Sequence, residues 1–94
     1  MKVDVTQAIT GFDGKEALDQ DKKTIPLRAV LVTALNTVLP DESVEDKLDC
    51  GELAVRIAQE DTVEIGHSDV SRIKGKLGHY TPLIVLRVCE ALNK

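Results

Sequence analysis

Arg72, Lys74, Lys76 and His79 are the residues of this chain whose types and spacing come nearest to a recognisable chemistry. Arg72 and Lys76 are four apart, so on a helix they share one face, opposite a Val70/Ile73/Leu77 stripe. A helix, a short turn containing Gly78 and a second helix trace the outline of a helix-turn-helix. A basic face on such a unit would contact phosphates and base edges. These four residues are therefore the candidate nucleic-acid contacts. Two features weigh against them. The chain carries a formal net charge of −4, which weakens attraction to phosphate. The stretch from Asp61 to His67, where the first helix of such a unit should lie, reads as extended and alternating.

Other chemistry finds less support. His67 and His79 flank the third helix, with no HxxxH, HExxH or paired-cysteine spacing that would hold a metal. Cys50 and Cys89 are isolated thiols in apolar helical contexts, read as reduced and packed like small hydrophobes. The acid pairs Asp41/Glu42 and Glu60/Asp61 fall at helix ends and read as solvated. The glycines make neither GxGxxG nor GxxxxGK[ST]. The sequence thus points away from an enzyme and calls for no cofactor and no metal.

The acids suggest a different role. Residues 25–62 carry eight Asp/Glu against three Lys/Arg, whereas residues 63–94 carry three against five. Glu45, Asp49 and Glu52 lie on one helical segment and form a candidate protein-binding face. Leu83 and Leu86 lie on a final helix that is apolar nearly all round, which is either the central helix of the core or an interface with a protein partner or another copy of the chain.

The elements that would position these residues follow from hydrophobic periodicity. Only Phe12 and Tyr80 are aromatic, so the core must be built from Leu, Ile, Val and Ala. The same scarcity argues against a single-strand nucleic-acid platform. Lys2 to Val5 alternates as a short strand, and Asp13-Gly14 supplies the turn of a β-hairpin over about residues 8–18. Asp19 to Lys23 is a polar loop.

Leu27, Val30, Leu31, Ala34, Leu35, Val38 and Leu39 recur on a helical period, predicting a helix over 25–39. Thr24 would be its cap, Pro26 lies in its first turn and Pro40 ends it. Ser43 with Asp46 opens a second helix over 43–59, whose inner face is Cys50, Leu53, Ala54, Ile57 and Ala58. Gly51 is a weak point within it. Val63-Glu64-Ile65 is either a third short strand or a linker. Ser68 caps a third helix over 68–77, with Gly78 expected as a left-handed C-cap. Thr81-Pro82 opens the last, over 82–92.

The expected fold is thus α+β and mostly helical: one domain, 1–94, with a hairpin and polar loop over 1–24 packed on four helices. No apolar run approaches the ~20 residues of a membrane span. With no hydrophobic leader at the start, a cytoplasmic location and no membrane partner are expected.

The order of motifs resembles a group of small proteins encoded by tailed bacteriophages and prophages. The residues that carry the resemblance are Met1-Lys-Val-Asp-Val-Thr6, Phe12-Asp-Gly-Lys15, Leu27-Arg-Ala-Val-Leu-Val-Thr-Ala-Leu35, Glu52-Leu-Ala-Val-Arg-Ile57 and Ser68 through Val85. It runs over nearly the whole chain, and Cys50 and Cys89 depart from the pattern. The resemblance implies an origin in a bacterial host cell and assigns no catalytic or ligand residues. The expected function is that of a phage accessory protein that contacts a phage structural or host protein. The alternative is a DNA-binding regulator.

Overall fold

The alternation of Val3 and Val5 requires a partner strand, and the chain finds it sixty residues downstream. In the computed structural model, which describes residues 1–93, strand β1 (Lys2–Asp4) pairs antiparallel with β2 (Thr62–Glu64). Val3 lies opposite Val63. The ladder continues on both sides through Val5 N donating to the Asp61 carbonyl at 3.0 Å and Ile65 N to the Met1 carbonyl at 2.7 Å. Period-two alternation turns Val3, Val5, Val63 and Ile65 into the core. The segment that read as a strand or a linker is therefore a strand.

Asp13-Gly14 does reverse the chain, with Gly14 at φ +81°. Gly11 N donates to the Lys15 carbonyl (2.7 Å) and Ala17 N to the Ile9 carbonyl (2.9 Å). The chain makes single bridges here rather than long strands: Thr10 with Glu16 across this turn, Leu18 with Thr24 across the 19–23 loop, and Ala8 with Pro26 outside both. Ile9 is the inward residue of this layer, while Phe12 at the tip is 80% exposed.

Helix α1 spans Leu27–Leu35 and buries Leu27, Val30, Leu31, Ala34 and Leu35. It is shorter at both ends than its periodicity predicts. Thr24 is engaged with Leu18, so Pro26 stands at the N-cap in extended geometry. At the other end Pro40 disfavours helical geometry at Leu39, and Asn36 caps the helix. Val38, expected inside, is consequently exposed, and Leu39 is half-buried.

Helix α2 (Val44–Gln59) begins as its sequence predicts, with Ser43 Oγ accepting from Asp46 N at 3.1 Å. Cys50, Leu53 and Ile57 pack on α1 and the sheet, Ala54 is half-buried and Ala58 is exposed. Its C-terminal carbonyls are covered by Arg28 of α1. Nε donates to the Ile57 carbonyl and Nη2 to the Glu60 carbonyl, both at 2.8 Å.

Helix α3 (His67–Gly75) starts one residue before its predicted cap. Gly66 is the N-cap, and Asp69 Oδ2 accepts from its amide at 3.1 Å. Ser68 lies inside the helix rather than capping it. The helix closes on Lys76 in right-handed geometry, and Gly78 has no positive φ, so the expected left-handed cap is absent. Helix α4 (Pro82–Leu92) has Thr81 before its N1 proline. It buries Val88 and Leu92 completely, and its remaining apolar residues are half-buried or exposed.

The fold is α+β and mostly helical. Its core centres on α1, α2 and the strand pair, with α4 as a flanking helix. Among the described residues no helix is long and apolar enough to cross a membrane.

Candidate functional site

The basic residues of α3 occupy the position that periodicity predicts on the helix, but that side of α3 faces protein. Arg72 turns towards α2: Nη2 donates to Asp49 Oδ2 at 2.8 Å and lies 4.0 Å from Asp46 Oδ1. Lys76, expected on an open face, is 3% exposed. Its ammonium lies 2.6 Å from Glu42 Oε2 and donates to the Thr37 carbonyl, in the turn between α1 and α2. This corrects its placement among solvent-facing nucleic-acid contacts. The cause is tertiary: the early stop of α1 brings the 36–42 turn across α3 and leaves a free carbonyl and a carboxylate above Lys76. Lys74 and His79 remain exposed.

Glu42 is held below the usual carboxylate range, first by the Lys76 hydrogen bond, which outweighs the opposing effect of burial. Its other oxygen accepts from the Leu39 amide at 3.4 Å. A charge pair withdrawn from water is costly unless each remaining polar atom is satisfied. Here no buried side-chain nitrogen or oxygen lacks a partner among the described residues. Cys50 lies beside this pair, and burial pushes its thiol pKa up, away from the reactive thiolate. Cys89 is half-buried on α4, and both thiols are free. A shallow cleft opens between Leu39–Glu42 and α3; Asp41, Glu42 and Asp46 line it, and its two cations, Arg72 and Lys76, are already paired.

The acidic candidates separate in the same way. Asp49 is consumed by Arg72, whereas Glu45 and Glu52 point to solvent and make no ion pair among the described residues. They flank a feature absent from the predicted sites. Val44, Leu48 and Val55 are 72%, 59% and 54% exposed, and with Gly51 they form an apolar line along the outside of α2. The line runs opposite the Cys50/Leu53/Ile57 face, so α2 is apolar on two sides. Its spacing of four, three and four is visible in the sequence, but the inner stripe of the same helix accounts for the fold and draws attention from it. Val38 lies beside this line, near Lys47 and Gly51.

On α4, Leu83 is half-buried and Leu86 is 46% exposed. Leu86 borders a groove shared with Leu77, Tyr80, Val85 and Cys89. The helix is tied to the hairpin by Arg87, whose Nε and Nη2 donate to the Thr10 and Gly11 carbonyls at 3.0 and 2.7 Å. His67 is the first residue of α3 and His79 follows its end, so the two histidines stay apart. What the geometry offers is a fixed helix with a solvent-facing apolar line edged by charges that have no ion-pair partner among the described residues, a surface suited to contact with another protein. No protein family, curated protein or solved structure matches this chain.

Proposed function

We propose that this chain is a small accessory protein of the phage or prophage type that it resembles, working without catalysis through contact with another protein. Its setting would be particle assembly or the binding of a host factor inside the bacterial cell. The observation that carries the reading is the outer face of α2, where Val44, Leu48 and Val55 are all more than half exposed in one line. Large apolar side chains scattered singly need no explanation, but a contiguous line on a rigid helix marks a contact surface. The burial of Lys76 against Glu42 adds support, because it withdraws one of the cations that a DNA-reading face on α3 would have used, and Arg72 is turned to Asp49.

The test is a photo-crosslinking amino acid placed at Leu48 in expressing bacterial cells, with a second placement at exposed Lys74 as the control. Adducts to protein formed from position 48 and absent from position 74 are the expected outcome. No adduct from position 48 would refute a protein-contact function for this face.

A further inference from the structure

The spacing on the outer face of α2 has a further property. Val44, Leu48, Gly51 and Val55 are separated by four, three and four residues, which is the a/d repeat of a helix-to-helix seam. Only one register fits: Leu48 and Val55 take the a positions, and Val44 and Gly51 take the d positions. In that register Glu45 and Glu52 fall at e, and Lys47 falls at g. Asp46, Asp49, Cys50, Leu53 and Ile57 fall elsewhere, where this molecule already uses them against α1, α3 and the sheet. The seam is therefore independent of the fold.

We infer that this face is the interface of a parallel, twofold dimer, in which α2 of one chain packs along α2 of a second copy. The inference rests on the protein-contact reading and names the partner. Charge decides both the partner and its direction. In a parallel pair, g of one helix faces e five residues on in the other, so Lys47 meets Glu52 of the second copy, twice by symmetry. In an antiparallel pair e faces e and g faces g, which would set Glu52 against glutamate and Lys47 against lysine or Ala54. Lys47 and Glu52 have no ion-pair partner among the described residues of their own chain, so both are available.

Gly51 fits the same picture. It is in mid-helix at a cost of ~1 kcal/mol relative to Ala, and a Cβ built there meets nothing within 4 Å. Nothing inside the molecule therefore calls for glycine. At the centre of a seam, the missing side chain lets two helix backbones approach closely. Two heptads form an interface at the small end of the specific range, below about 1,200 Å², so the dimer is a weak, reversible one.

Sedimentation equilibrium on the full chain, from about 10 μM to 1 mM, should show a reversible monomer–dimer exchange. Lys47→Glu and Glu52→Lys should each weaken it by about tenfold, and the double exchange should restore it. Leu48→Glu should abolish the dimer while leaving the monomer's circular dichroism and melting temperature unchanged. A monomer throughout overturns the dimer, as does a dimer indifferent to Leu48→Glu or a double exchange that fails to restore association. The crosslinking result separates the two levels. A monomer in the centrifuge with a foreign protein attached at position 48 overturns only the dimer, whereas a monomer with no adduct overturns the contact reading as well.

Discussion

Lys76 reaches from the end of α3 to Glu42 in the turn before α2, closing a 2.6 Å ion pair whose side chains are 3% and 6% exposed. The pair joins three elements, because Lys76 also donates to the Thr37 carbonyl just beyond α1. Removing one partner leaves the other charge buried without compensation, which costs more than removing both. Lys76→Met and Glu42→Leu should therefore each lower the melting temperature more than the double variant Glu42→Leu/Lys76→Met does. Thermal unfolding of the four proteins measures this as a coupling energy. Strictly additive losses would show that the two side chains act independently.

The same carboxylate should make stability fall in acid. Glu42 is held below its ordinary range by Lys76, Glu64 by the amino group of Met1 and Asp4 by the Thr6 hydroxyl and amide. When a folded-state pKa is depressed, the unfolded chain takes up protons first as the pH drops. The stabilisation is complete above about pH 4–5 and is lost as the pH falls through the folded-state values. Urea midpoints measured from pH 7 downwards should hold steady and then decline. Glu42→Gln should decline less steeply, and an identical acid limb would contradict the assignment.

Arg28 offers a comparison between two kinds of bond. Its guanidinium donates to the Ile57 and Glu60 carbonyls at the end of α2 and also pairs with Asp61 at 2.9 Å. Asp61 is 83% exposed, so that ion pair is screened by water and contributes little. The carbonyls matter more, because the last turn of a helix otherwise leaves them unsatisfied. Arg28→Ala should cost about 2 kcal/mol in chemical denaturation, and Asp61→Ala should stay within about 0.5 kcal/mol of wild type. Arg28→Lys should recover less than half of the loss, since an ammonium lacks the guanidinium fork.

Gly51 should behave differently at low and high protein concentration. Below the dimer's range, Gly51→Ala should raise monomer stability by about 1 kcal/mol, through helix propensity alone, as its new methyl group meets open space. Denaturation of a dilute sample tests this, and a loss of stability would mean that α2 needs glycine for a local reason.

Much of the architecture was legible because local signals and tertiary packing agreed. Ser43 and Asp46 marked the start of α2, and Thr81-Pro82 marked the start of α4. The stripe from Leu27 to Leu35 identified the helix that fills the core. Disagreements arose where a local rule met a stronger one. Periodicity carried α1 on to Val38 and Leu39, but the residue before Pro40 resists helical geometry. Glycine after a helix suggested a left-handed turn at Gly78, yet the right-handed close on Lys76 satisfied the chain there.

The candidate site was less legible for a different reason. Helical arithmetic placed Arg72 and Lys76 together correctly, but it cannot say which side of a helix another segment will cover. That depended on the turn holding Thr37 and Glu42, a contact across more than thirty residues. On α2 the opposite occurred: both apolar lines are present in the sequence, and the one that builds the core obscured the one left outside.

The pairing of Val3 with Val63 carries a consequence for the chain's birth. Val3 leaves the ribosome sixty positions before its partner. At about 5–20 residues per second, the ribosome takes about 3–12 s to cover that distance, far longer than a helix needs to form. The helices α1 and α2 can therefore be assembled before β1 has anything to bind. The strand pair then acts as a late clasp, drawn shut over a core whose helices were made while it waited.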